Sequence, residues 1–175
     1  MTVSPDRRAV CDRVLTYALL VDAACAPRGL DRWLVLAICA QESGGCCVAW
    51  RPEPEFLSRY GAGIAQSVMQ SGVTAYQRWW VRDPLVLATS FGLMQTLVVT
   101  AIERGMALEY PTSLCQPEVS LEAGCRQLAF LFGHLTGDVR EPIRTTLLRW
   151  NGGGDPAYPD KVLAWRDDLM AMARG

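Results

Sequence analysis

Ala37-Ile38-Cys39-Ala40-Gln41-Glu42-Ser43-Gly44-Gly45 is an apolar run that ends in a carboxylate and then in glycines. Asp31 stands where a helix N-cap is wanted, so the spacing predicts a helix from Arg32 to about Glu42. Trp33, Leu34, Ala37, Ile38 and Gln41 fall near one face of it, which makes that face the expected core contact. Gly44 and Gly45 then end the helix, because residues without a Cβ accept the left-handed conformation that satisfies the last carbonyls. A carboxyl group on the last turn of a half-buried helix is poorly solvated and meets the negative end of the helix dipole. Both effects disfavour its ionised form, which is the condition for a general acid near neutral pH. Taken alone, an ordinary exposed glutamate near a helix end is the simpler reading; two later segments reverse that weighting.

The first is Ser90-Phe91-Gly92-Leu93-Met94-Gln95, followed by an apolar stretch from Thr96 to Met106 read as helical. The second is Arg149-Trp150-Asn151-Gly152-Gly153-Gly154, followed by Tyr158 and Val162. With Glu42-Ser43-Gly44, in this order, the segments resemble the lytic transglycosylase and goose-type lysozyme superfamily, marked by a catalytic Glu-Ser, a Gly-Leu-Met-Gln and an Ala-Tyr-Asn-Ala-Gly. The resemblance spans roughly Leu30 to Leu169. Trp150 stands where the family usually has Tyr, and Gly153 belongs to a longer glycine run, so the third match is partial. The stretch from Gly45 to Phe91 is longer than the loop that separates the first two motifs in many members.

The resemblance implies a lysozyme-like, mainly α fold with an enlarged insert between the Glu-Ser and Gly-Leu-Met-Gln motifs, forming a single catalytic domain over residues 1–175. It implies cleavage of the β-1,4 bond between N-acetylmuramic acid and N-acetylglucosamine in peptidoglycan, with Glu42 as acid and then base. In that family the muramic N-acetyl group stabilises the cationic centre and the sugar's own 6-hydroxyl attacks it, leaving a 1,6-anhydro ring. Ser43, Gly92, Met94, Gln95, Asn151 and Tyr158 are the expected substrate-binding residues. The amide of Gln95 suits sugar hydroxyls or an acetamido group, and Gly92 lets backbone approach a ligand closely. Each has a structural alternative: Met94 as a core residue, Asn151 as the end of a helix, Ser43 as a cap of the turn beside Glu42, and Tyr158, like Trp165, as packing of the last helix.

Glycosidases of the usual kind use two carboxyl groups. Glu53, Glu55 and Asp83 are the acidic residues between the two strongest motifs, and one of them facing Glu42 would make the protein a hydrolytic muramidase. A non-catalytic wall-binding module of the same fold is the alternative from another class. The presence of Glu42, Gln95 and Asn151 together argues against it.

Composition bounds the rest. Half of the 175 residues are hydrophobic and a fifth are charged, which fits a compact domain with a core. The balance of 17 basic and 18 acidic residues gives no basic footprint for a nucleic acid. Val14 to Ala26 is apolar enough to raise a signal peptide, but Asp22 interrupts it, and Val10, Val14, Tyr17, Ala18 and Val21 recur at helical spacing, so a first helix is expected there. No apolar run approaches the ~20 residues needed to span a bilayer. A soluble monomer is expected, made in the cytoplasm and acting on glycan strands of the wall, in a phage-lysis or virion setting and without stable membrane insertion.

Seven cysteines include no Cys-x-x-Cys pair and are accompanied by one histidine, His134, so neither a metal nor another cofactor is expected. Cys39 and Cys125 read as buried helical residues. Downstream, Leu121 to Leu135, Pro142 to Trp150 and Asp160 to Ala173 are expected helices. Arg51-Pro52-Glu53-Pro54 is expected to be extended or turn-like, no alternation long enough for a sheet is seen, and a short hairpin within residues 46–90 is allowed. Tyr60, Tyr76, Trp79 and Trp80 give the insert an aromatic surface for stacking on sugar or packing the lobe.

Overall fold

A computed structural model describes residues 3–70 and 83–174. The described residues are mainly α-helical with a small antiparallel sheet. The helices are α1 (Pro5–Leu15), α2 (Ala18–Cys25), α3 (Arg32–Ser43), α4 (Pro54–Gln70), α5 (Pro84–Leu87), α6 (Val98–Glu103), α7 (Pro117–Gly133), α8 (Pro142–Trp150) and α9 (Tyr158–Arg174). The strands are β1 (Trp50–Pro52), β2 (Thr89–Phe91) and β3 (Thr96–Leu97). The chain divides into two compact units, one built from Met1–Gly45 with Cys125–Gly175 and the other from Cys46–Gly124.

In the first unit α3 is the central helix. Every residue from Leu34 to Ala40 is buried, more than the single face the periodicity suggested. A helix that is apolar all round is stable only when it is surrounded, and α1, α2 and α9 pack against it. Asp31 caps α3 by accepting from the Trp33 N–H at 2.9 Å, and its carboxylate also pairs with Arg166 of α9 at 2.6 Å. Arg7 of α1 meets Asp168 of α9 at 2.5 Å and lies over the Trp165 ring, 3.6 Å from its centroid. These ties hold α9 along α3. The expected single first helix is two helices, α1 and α2: Thr16 Oγ1 donates to the Arg13 carbonyl at 2.7 Å and the chain breaks at Thr16-Tyr17. A hydroxyl bonded back into the preceding turn competes with the continuing helix.

The second unit holds the sheet and a core of Ile64, Val68, Leu87, Ala88, Val98, Val99, Ile102, Met106, Leu108 and Leu114, among others. Burying a side chain of this size contributes about 1.5–3 kcal/mol, so this cluster stabilises a lobe far beyond a surface loop. The order is β1-β2-β3, antiparallel throughout, with Arg51 opposite Ser90 and Phe91 opposite Thr96. The sequence offers no alternation long enough for a sheet and allows a short hairpin within residues 46–90; the sheet present has three strands and reaches beyond that range to Leu97. Strands of two or three residues are too short to show alternation, and one of them, β3, takes the first two residues of the stretch read as helix from Thr96 to Met106, leaving α6 from Val98 to Glu103. Arg51-Pro52 is extended as expected, but Pro54 opens α4 instead of continuing a turn. Proline is tolerated in the first helical turn, where its missing N–H has no partner to lose.

Candidate active site

Glu42 lies one residue before the end of α3, half-buried. The helix stops at Gly44 (φ 58°), whose N–H donates to the Ala40 carbonyl, and Gly45 (φ 78°) donates to that of Cys39 at 3.4 Å. Arg13 Nη1 donates to the Gly44 carbonyl at 2.9 Å. Gly45 is fixed sterically as well, because a Cβ there would sit 3.0 Å from Val14 Cγ2. Ser43 Oγ donates to the Cys39 carbonyl at 3.0 Å and accepts from the Gly45 N–H at 3.2 Å, so the hydroxyl braces the turn that aims Glu42.

Two donors from the far end of the chain converge on one oxygen of this carboxylate. Trp150 Nε1, on the last residue of α8, donates to Glu42 Oε1 at 3.2 Å, and the hydroxyl of Tyr158, the first residue of α9, donates to the same oxygen in a short hydrogen bond. Tyr158 is 4% exposed. Next to them Trp165 Nε1 donates to Gln41 Oε1 at 3.1 Å. Charge-assisted donors on Oε1 stabilise the carboxylate, an interaction that opposes the effect of poor solvation and of the helix dipole. The sequence pointed to Tyr158 as a substrate contact; the structure gives its hydroxyl a position on Glu42. Trp150 is a site residue that the sequence reading noted only as a departure from Tyr, and the signal for it was its place in the third motif.

Asn151 caps α8, its N–H donating to the Leu147 carbonyl at 3.1 Å. Its side-chain Nδ2 is buried and has no hydrogen-bond partner in the protein. A buried donor of this kind is costly unless something meets it. Cys39, one turn before Glu42, is buried, and its thiol is pushed up by burial first and then by the charge of Glu42. It is therefore held as an inert thiol. His134 hydrogen-bonds through Nδ1 to the Phe130 carbonyl at 2.8 Å and stacks on the Phe130 ring, as a helix-terminal histidine does.

In the second unit the Gly92–Gln95 segment is the tight turn between β2 and β3. Gly92 has φ 78°, and a Cβ on it would lie 2.0 Å from the Leu114 carbonyl oxygen and 2.5 Å from Ser120 Oγ, so no other residue fits. Met94 is fully buried; its backbone N–H donates to Ser120 Oγ at 3.3 Å, and a Cβ at Gly124 would come within 2.2 Å of its sulfur. Its side chain thus packs into α7. Gln95 is the one non-glycine with positive φ (46°) among the described residues. Its Nε2 donates to the carbonyls of Ala49 at 3.1 Å and Gly92 at 3.0 Å.

The three candidate second carboxylates differ. Asp83 is the N-cap of α5 and accepts from the Leu85 N–H at 2.9 Å. Glu55 is exposed in the first turn of α4. Glu53 Oε1 accepts from Arg51 Nε at 2.7 Å and from Ser90 Oγ at 3.2 Å, which holds it beside β2, the strand that leads into Gly92. Tyr60 is half-exposed and lines an open pocket of about 340 Å³ with Phe56, Gly63, Ile64, Val99 and Glu103. Tyr76, Trp79 and Trp80 lie outside the described residues. Among the described residues no group of three or more His, Cys, Asp or Glu is placed to hold a metal ion, and no helix is long and apolar enough to cross a membrane.

No family model, curated protein or solved structure matches this chain.

Proposed function

We propose that the protein cleaves peptidoglycan glycan strands as a lytic transglycosylase of lysozyme-like fold, with Glu42 as general acid and base. The observation that carries this reading is the convergence on Glu42 Oε1. Trp150 and Tyr158, 108 and 116 residues along the chain from Glu42, both reach one oxygen of its carboxylate. A solvated surface glutamate has no need of a buried tyrosine hydroxyl and an indole N–H aimed at it.

Glu42 gives its proton to the glycosidic oxygen as the bond from that oxygen to C1 of N-acetylmuramic acid breaks. The Tyr158 hydroxyl and Trp150 Nε1 stabilise the carboxylate left behind and fix its orientation. The acetamido group of the same sugar stabilises C1 until its 6-hydroxyl oxygen attacks. The hydroxyl proton then passes to Glu42, which restores the acid. Atoms balance without water, and the product is a 1,6-anhydro end. Asn151 Nδ2, a buried donor with no acceptor in the protein, supplies a contact for a substrate oxygen.

A second reading has one observation in its favour. Glu53, which accepts from Arg51 and Ser90, is the candidate carboxylate for a hydrolytic muramidase. Mass spectrometry of digested wall decides among the readings. Anhydro ends, lighter by one water, support the transglycosylase; reducing ends alone support the muramidase. Purified wall that neither clears in a turbidity assay nor yields fragments supports a binding module and overturns both enzymes.

A further inference from the structure

Trp50 opens β1 in the second unit and is 63% exposed. Exposure of one apolar side chain is ordinary; what distinguishes this one is its neighbours. Ala49, the residue before it, offers its carbonyl to two donors, the Gly92 N–H at 2.8 Å and Gln95 Nε2 at 3.1 Å. The second hydrogen of that amide nitrogen goes to the Gly92 carbonyl at 3.0 Å. An amide held by both its hydrogens is fixed in place, so Gln95 Oε1 is a positioned acceptor whose amide is tied to the residue next to Trp50. The sheet also sorts the side chains around the indole. Residues directly opposite one another in an antiparallel pair share a face, and successive residues alternate. Trp50 is opposite Phe91 and shares its face; Arg51 is opposite Ser90 on the other, where Glu53 accepts from both. The charges of this edge are thus paired with one another away from the indole, and the face that carries Trp50 is aromatic.

We propose that Trp50 and Gln95 form a saccharide subsite. A pyranose of a β-1,4-linked N-acetylhexosamine strand lies with its C–H face on the indole, while Gln95 Oε1 accepts from a hydroxyl or an acetamido N–H of that strand. The identity of the strand rests on the transglycosylase reading. The occupant is chosen by size and polarity. Covering a tryptophan removes about 150–250 Å² from water, whereas a stable protein interface takes about 800 Å² from each partner, so the patch matches one ring and falls far short of a protein. An aromatic face without charge and with a fixed neutral acceptor near it offers nothing to an anionic ligand. A pyranose meets both parts at once, since its flat sides carry C–H bonds and its rim carries hydrogen-bond donors.

The full chain is titrated calorimetrically with the β-1,4-linked tetramer of N-acetylglucosamine, and the sugar protons are followed by NMR. The expected result is binding that Trp50→Ala weakens at least about 10-fold and Trp50→Phe, which keeps an aromatic face, weakens no more than about 3-fold. Upfield shifts of the sugar's C–H protons should accompany wild-type binding and vanish in Trp50→Ala. Because Trp50 is mostly exposed, the alanine variant should melt within about 2 °C of wild type, which separates lost binding from lost fold. Failure of the wild-type chain to bind the tetramer at millimolar concentration, or binding that Trp50→Ala leaves unchanged, overturns the subsite. So does a wild-type dimer that Trp50→Ala converts to a monomer in sedimentation, since the face then belongs to a second copy. Binding through Trp50 by a chain that releases no fragments from purified wall keeps the subsite and overturns the transglycosylase; anhydro products from a chain whose tetramer binding ignores Trp50 do the reverse.

Discussion

Replacing Glu42 by two different residues separates what its carboxylate does for the fold from what it does in the reaction. Glu42→Gln keeps an acceptor for Tyr158 and Trp150, the two donors on Oε1. Two charge-assisted bonds become neutral ones, a loss of about 1 kcal/mol each, partly offset by no longer burying a charge. The net cost is about 0–2 kcal/mol, which at about 2–4 °C per kcal/mol for a chain of this length lowers the midpoint by no more than about 8 °C. Glu42→Ala leaves both donors without that oxygen. Tyr158 is 4% exposed and loses its acceptor with little water to replace it, at about 2–3 kcal/mol, whereas the half-buried Trp150 N–H recovers part of its loss by hydration, leaving about 0–1 kcal/mol. The alanine variant should therefore melt about 4–16 °C below wild type, and below the glutamine variant. Clearing of purified wall should fall at least about 10²-fold in both, since neither side chain can deliver a proton. Near-wild-type lysis by folded Glu42→Gln refutes the acid assignment. Equal midpoints for the two variants would refute the hydrogen bonds to Oε1, whatever the activity.

Gly92→Ala must adopt a left-handed φ and push a Cβ into the Leu114 carbonyl, so it should cost about 2–5 kcal/mol in denaturant unfolding; a cost below about 1 kcal/mol would mean the turn is not built as described. Asn151→Ala removes a buried donor with no acceptor in the protein, so the midpoint should hold or rise while wall clearing falls, and a drop in midpoint with activity intact would assign the amide to the fold. Tyr60→Ala should slow cleavage of long glycan strands more than of short fragments, and equal slowing of both would make the tyrosine a packing residue. Because burial raises the Cys39 thiol, alkylation near neutral pH should reach the partly exposed Cys46 and Cys47 first, and mass mapping that finds Cys39 modified before them contradicts its burial.

What the sequence made legible was local. The helix Pro142–Trp150 is read correctly because Pro opens it and the glycine run closes it, and α3 is read to within a residue because Asp31 and Gly44 mark its ends. Short strands left no period to read, and the two prolines around Glu53 look alike in sequence although Pro52 ends a strand and Pro54 starts a helix. Asp83, read from the sequence as a candidate carboxylate, is an N-cap followed by a proline at the first helical position. Within the candidate site, Glu42 was legible from its setting at a helix end. The donors on it were not legible as contacts, because nothing in the spacing of Trp150 and Tyr158 reports which atom they reach across more than a hundred residues.

Gln95 shows how the same amide can have a different role from the one its chemistry first suggests. Its backbone stands at φ 46°, a conformation that costs a non-glycine residue of order 1 kcal/mol or more and is held only where the surroundings fix it. Here they do: both hydrogens of its amide nitrogen have backbone acceptors, the Ala49 carbonyl just before β1 and the Gly92 carbonyl at the start of its own turn. That nitrogen therefore ties β1 to the β2-β3 turn and has no hydrogen left for a sugar oxygen. What remains for recognition is the amide oxygen, an acceptor. Of the groups on a peptidoglycan strand, hydroxyls can serve as donor or acceptor, but the acetamido N–H only donates. Under the proposed function that oxygen would accept from a sugar hydroxyl or from the acetamido N–H, since both can donate.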